Sequence, residues 1–133
     1  MSPIRVLLVD DNPGFLEAMT RFLAREQLDI VGRSHNGSEA LGDVDRLKPD
    51  LVLIDIAMPH MNGLEATRRI KARPGAPRVV ILTLHDNPAY LAEAQAAGAD
   101  GFVAKTQLGA QLMPLVRALF SHREERPSGP SER

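Results

Sequence analysis

Leu51-Val52-Leu53-Ile54-Asp55 is an unbroken aliphatic run that stops on a carboxylate. Four such residues in a row suit a strand covered on both faces, the way strands of a parallel sheet are buried. Three more runs have the same form. Val6-Leu7-Leu8-Val9 stops at Asp10-Asp11, Val79-Val80-Ile81-Leu82 at Thr83, and Phe102-Val103-Ala104 at Lys105. A further strand is expected over 29–34. As neighbours in one parallel sheet, these runs would bring three carboxylates, a hydroxyl and an ammonium to a single edge.

The segments between the runs have helical spacing. Phe15, Leu16, Met19, Phe22 and Leu23 form one apolar stripe. Asn12-Pro13 ahead of it reads as a cap followed by proline at the first helical position. Further helices are expected over 38–47, stopped by Lys48-Pro49, and over 64–72, ended by Arg73-Pro74-Gly75-Ala76-Pro77. Another is expected over 88–97, closed by Gly98. A last helix should bury Leu112, Leu115, Val116 and Leu119, with a late start or a kink at Pro114. Proline in a helix interior removes a hydrogen bond and clashes with the carbonyl four residues back, here that of Ala110.

Strands alternating with helices predict an α/β fold, a five-stranded doubly wound parallel sheet with right-handed crossovers. For this length the flavodoxin-like order 2-1-3-4-5 is expected, with its ligand crevice beyond the carboxyl ends of strands one and three. Those ends carry Asp10-Asp11 and Asp55.

A chain of 133 residues suits one domain, here expected over 1–120. Residues 121–133 are polar, hold two prolines and a glycine, and are expected to form a mobile terminus or the start of a linker. Charged residues at 25% and apolar residues at 44% are ordinary for a globular protein. A net charge of -1 gives no basic footprint, so direct binding of nucleic acid or of an anionic membrane is not expected. No apolar run nears the roughly 20 residues that span a bilayer, and Met1-Ser2-Pro3-Ile4 does not open a signal peptide. With zero cysteines, disulfides, thiol catalysis and thiolate metal sites are excluded, and a cytoplasmic location is the expectation. His35, His60, His85 and His122 show no zinc-ligand spacing.

The acidic set has its own logic. Two ionised carboxylates about 4 Å apart repel by roughly 4 kcal/mol at an effective dielectric near 20. Three together call for a cation, and all-oxygen donors suit a hard one such as Mg²⁺. Asp10 and Asp11 would hold the ion, and Asp55 would keep one oxygen as a nucleophile toward phosphorus. Taken singly, each residue has a plainer explanation. An acidic pair at a strand end is commonly a solvated cap, Lys105 a surface lysine, Thr83 a strand residue and Phe102 core. Their joint placement at strand ends favours the functional reading.

The chain resembles the receiver domain of bacterial response regulators over about 4–120. The resemblance rests on Leu-Val-Asp-Asp at 8–11, Pro-Asp-Leu-Val-Leu-Ile-Asp at 49–55 and Met-Pro-His-Met-Asn-Gly-Leu-Glu at 58–65. Ile-Leu-Thr at 81–83, Ala-Gly-Ala at 97–99 and Gly-Phe-Val-Ala-Lys at 101–105 complete it, and Ile-Leu-Thr-Leu-His-Asp is most similar to the NarL/LuxR-type branch. The resemblance implies that Asp55 accepts a phosphoryl group from a sensor histidine kinase, with Mg²⁺ on Asp10, Asp11, Asp55 and the backbone carbonyl of Ala57. It implies that Lys105 pairs with the phosphoryl oxygens, that Thr83 turns its hydroxyl onto them, and that Phe102 follows inward. The surface around the fourth helix, fifth strand and fifth helix would then switch an output partner or appended output domain, with dimerisation on phosphorylation common in the family. Members of this branch often carry a DNA-binding helix-turn-helix after the receiver, and none follows Phe120 here, so a stand-alone receiver and a receiver portion of a longer regulator are both open.

Several positions depart from the family pattern. Leu84 is bulky where the family commonly has a small residue, and Thr106 replaces a frequent proline. Ala57 and His85 stand where acyl-phosphate lifetime is set, and Ala57 offers no polar group to orient water, so slow self-hydrolysis is expected. Such a domain is a phosphoacceptor rather than an enzyme. The alternative is a phosphorylation-independent pseudo-receiver that binds other proteins. An aspartyl-intermediate phosphatase lacks its second acid, because Ala57 stands there, and no glycine-rich dinucleotide fingerprint follows the first strand.

Overall fold

The computed structural model describes residues 3–84 and 88–121. His85 and Asp86, and all of the expected tail except Ser121, lie outside the described residues. The elements are β1 (Arg5–Val9), α1 (Pro13–Arg25), β2 (Asp29–Ser34), α2 (Gly37–Leu47), β3 (Leu51–Asp55), α3 (Gly63–Lys71), β4 (Arg78–Thr83), α4 (Pro88–Ala96), β5 (Gly101–Ala104) and α5 (Leu108–Leu119), with a 3-10 turn at Lys105–Gln107. The strands form one parallel sheet in the order β2-β1-β3-β4-β5.

Side-chain alternation along each strand splits the interior in two. Val6 and Leu8 of β1 point to one face, where Leu16, Met19 and Leu23 of α1 meet Leu112, Met113 and Val116 of α5. Leu7 and Val9 point to the other, against Ala40 and Val44 of α2, Ala66 and Ile70 of α3 and Ala94 of α4. Each fully buried Leu or Ile contributes about 1.5–3 kcal/mol, so both layers are needed. On α4, Ala94 alone of nine residues is buried.

Among the described residues, three helices start from an asparagine cap. The side chains of Asn12, Asn36 and Asn62 accept hydrogen bonds from the N–H groups of Phe15, Glu39 and Glu65. These caps follow β1, β2 and β3, so they fasten the helix starts to the carboxyl edge of the sheet. Helix α5 departs from expectation. It does not start late: it begins at Leu108 and runs through Pro114 in its interior. Pro114 and Ala110 both lie on its exposed side, where the carbonyl left without a helical donor can meet water. Burial of Leu112, Met113 and Val116 outweighs the local penalty. Met113 takes a buried place, while Leu115 and Leu119 are half-buried.

The amino edge of the sheet is held by charge. Asp100 accepts from Lys71 Nζ at 2.8 Å, from the Val79 N–H at 2.8 Å and from Arg78 at 3.2 Å. Burial opposes ionisation of Asp100, but the bonds from Lys71 and Val79, with Arg78 behind them, outweigh it and hold the carboxyl below its ordinary value. The stabilisation this provides is present above the ordinary value of 3.8 and is lost as pH falls through the lowered one. Asp100→Asn should therefore cost about 2 kcal/mol at pH 7. The deficit should shrink in strong acid, as followed by urea unfolding at a series of pH values.

Candidate functional site

Strand register decides what meets at the carboxyl edge. Val9 pairs with Ile54, Asp55 with Leu82, and Thr83 with Ala104. Residues just past each pair are thereby brought level: Asp10 after β1, Asp55 at the end of β3, Thr83 at the end of β4 and Lys105 after β5. Asp10, Asp11, Asn12, Asp55, Ala57, Thr83, Leu84 and Lys105 line one cleft of about 200 Å³.

Within it, Lys105 Nζ donates to Asp10 Oδ2 at 2.7 Å and lies 3.2 Å from Asp55 Oδ1. Its side chain is only 11% exposed. The other Asp10 oxygen accepts the Asn12 N–H at 2.9 Å. Asp55 is 7% exposed, Thr83 is fully buried, and Asp11 is exposed at the mouth. Burial, then the neighbouring Asp10 charge, pushes the Asp55 carboxyl above its ordinary range, while Lys105 pulls the other way and does not prevail. One carboxylate oxygen from each of Asp10, Asp11 and Asp55 lies within 4.8 Å of the others. A single ammonium does not neutralise three carboxylates, so the donor set fits a hard divalent cation.

Most residues expected from the sequence stand together. Phe102 is apart, lining a smaller groove with Leu91, Ala94 and Ala99, half-buried against the second core. It pairs with Ile81 in register, so its side chain leaves the same sheet face as Thr83 two residues on. Leu84 is 69% exposed at the lip of the cleft.

Three features were not read from the sequence. Asn12, expected only as the cap of α1, also donates its N–H to Asp10 and so joins that carboxylate to the helix start. Gly63 donates its N–H to the Ile56 carbonyl at 2.9 Å, and any side chain there would strike the backbone of Asp55. The Phe15 ring lies under Lys105 Nζ, 4.0 Å from centroid to nitrogen. The Met58-Pro59-His60-Met61-Asn62-Gly63 motif carried a signal for Gly63; nothing local marked Phe15 beyond its place in an apolar stripe.

Residues 6–117 match the response regulator receiver domain family. The chain belongs to that family. Among curated relatives, this receiver is 32% identical over 117 residues to the transcriptional regulatory protein DegU of Brevibacillus brevis, covering 87% of this chain and 50% of DegU. It is 36% identical over 119 residues to the response regulator GacA of Pseudomonas viridiflava, covering 89% and 56%. The receiver thus spans about half the length of the curated relatives it matches. Among solved structures, a LuxR-family two-component response regulator from Aurantimonas sp. SI85-9A1 superposes with a TM-score of 0.85 at 34% identity, covering 91% of this chain and 87% of that one. The signal receiver domain of NarL from Mycobacterium tuberculosis gives a TM-score of 0.80 at 29% identity, covering 95% and 100%. Both the family and the NarL/LuxR-type likeness expected from the sequence hold. No described helix is long and apolar enough to cross a membrane.

Proposed function

We propose that this receiver takes a phosphoryl group onto Asp55 from the phosphohistidine of a sensor histidine kinase. The observation that carries the proposal is the meeting of Asp10, Asp11 and Asp55 with Lys105 in one cleft at the carboxyl edge of the sheet. An Asp55 carboxylate oxygen attacks phosphorus, the new P–O bond forms as the P–N bond to the donor histidine breaks, and the electron pair returns to the ring nitrogen. Asp10, Asp11, Asp55 and the Ala57 carbonyl would hold Mg²⁺, which supplies positive charge against the phosphoryl oxygens. Lys105, already within 3.2 Å of Asp55, balances the charge gathered on the transferring group. Thr83 would donate its hydroxyl to the new phosphoryl group, and Phe102, leaving the same sheet face, would follow it inward. That local change biases the α4-β5-α5 surface toward a second arrangement.

The domain occupies 1–120, with 121–133 a tail or the start of a linker, and works in the cytoplasm. It supports its own phosphotransfer and slow dephosphorylation without being an enzyme in its own right. Its output is a downstream protein or an appended domain, since both curated relatives described above are about twice its length. Phosphorylation can bring two copies together.

The reading is tested with Mg²⁺ and beryllofluoride, an acyl-phosphate mimic, by following amide shifts beside an Asp55→Asn control. Saturable shifts near Asp55, Thr83 and Phe102 that vanish in the control are expected. A folded protein that gives none is instead a pseudo-receiver.

The lifetime of the acyl phosphate is a separate outcome. Ala57 cannot orient water, and Leu84 at the lip restricts access. Because Leu84 is mostly exposed, shrinking it removes little core packing. Leu84→Ala should speed hydrolysis by roughly three- to ten-fold, a barrier change near 1 kcal/mol. Loss of phosphorylated protein by acid-quenched mass spectrometry provides the check.

A further inference from the structure

The geometry points to Phe15 as a positioning residue for phosphoryl chemistry, its ring face holding the Lys105 ammonium toward Asp55. The inference rests on the reading of Asp55 as phosphoacceptor and goes beyond it. Lys105 Nζ lies 2.7 Å from Asp10 Oδ2, 3.2 Å from Asp55 Oδ1 and 4.0 Å from the Phe15 ring centre. An ammonium has three N–H donors, and the negative face of an aromatic ring attracts it alongside the two carboxylates.

Phe15 is itself held by the site. Its N–H donates to Asn12 Oδ1 at 3.1 Å, and the Asn12 N–H donates to Asp10 Oδ1 at 2.9 Å. The contacts therefore close on themselves: Asp10 to Asn12, Asn12 to Phe15, Phe15 to Lys105, and Lys105 back to Asp10. A ring suits this place better than a fourth carboxylate. It attracts the ammonium without adding negative charge that would repel an incoming phosphoryl group, and it shields the cation from water, which strengthens the ammonium's other contacts. It also binds no metal. When a cation competes for Asp10, Phe15 remains to hold Lys105 at the cleft.

The test uses acetyl phosphate with Mg²⁺. Asp55 attacks phosphorus, the P–O bond to Asp55 forms as that to acetate breaks, and acetate leaves with the electron pair. Phe15→Leu keeps an apolar side chain against the core but removes the ring, and Phe15→Tyr keeps the ring. Phe15→Met, also unringed, serves if leucine loosens the fold by thermal unfolding. Phosphorylation should slow on the order of ten-fold in the leucine or methionine variant and recover in the tyrosine variant. The Lys105 ε-methylene resonance should lose its ring-current shift in step with the rate. Equal rates for unsubstituted and unringed proteins would overturn the inference, as would a slow tyrosine variant with unchanged stability. Absence of phosphorylation in the unsubstituted protein would instead overturn the reading of Asp55, and the inference with it.

Discussion

Replacing Asp55 with asparagine is expected to reduce phosphoryl acceptance from acetyl phosphate to background and, in the same protein, to raise the midpoint of thermal unfolding at neutral pH. The two effects share a cause. Asp55 is buried beside Asp10 and Asp11, and burial followed by the Asp10 charge lifts its carboxyl above the ordinary range. A carboxyl raised on folding favours the folded chain only while protonated. That contribution is complete below the ordinary value of 3.8 and lost as pH rises through the raised one. Above that raised value the charged group burdens the fold, and an amide of the same shape removes the burden together with the proposed phosphoacceptor oxygen. Asp100→Asn should move the midpoint the other way, because its carboxyl is lowered. Thermal unfolding of the two variants side by side, with opposite signs expected, is the measurement. A lowered midpoint for Asp55→Asn would contradict the account.

The second large effect lies at Gly63. Alanine is favoured over glycine in a helix by about 1 kcal/mol, so a glycine-to-alanine change in open space should stabilise. Gly42 in α2 is such a place, with nothing within 4 Å of an added Cβ. At Gly63 the same atom would strike the carbonyl oxygen of Asp55 and stand 2.9 Å from both its carbonyl carbon and the Ile56 Cα. These are backbone atoms at the end of a central strand and cannot swing aside. Overpacking therefore outweighs propensity, and Gly63→Ala should destabilise by about 3 kcal/mol. It should also weaken Mg²⁺ binding, because relief of the clash moves Asp55. Urea unfolding of the Gly63 and Gly42 variants, with a Mg²⁺ titration of each, distinguishes the two causes. A stabilised Gly63→Ala protein would refute the argument.

The order of elements and the gathering of Asp10, Asp11, Asp55, Thr83 and Lys105 were legible because one rule produces both. Strands buried on two faces appear as apolar runs, and parallel strands end on the same edge. Parallel pairing makes the last residue of each run a neighbour of the others without further information. The late start that Pro114 suggests does not occur, because local preference alone sets that expectation, whereas α5 is held by what Leu112, Met113 and Val116 bury. Phe15 and Lys105 are ninety positions apart in sequence, and no spacing within α1 records that contact. Gly63 was visible only as part of a motif, because its reason is a distance to a strand carbonyl rather than an unusual backbone angle.

The weak seat of α4 bears on how a signal leaves the domain. Ala94 is the buried residue of α4, its methyl contributing under about 1 kcal/mol, and half-buried Tyr90 packs against the same core. Helix α1 instead sinks Leu16, Met19 and Leu23 into its core. Amides of α4 should thus exchange with solvent by local opening, well below the free energy of global unfolding, while those of α1 follow the whole molecule. On the proposed function, the helix would be re-seated while the sheet stays intact, so that a covalent event at Asp55 would be reported without spending the stability that keeps the domain folded.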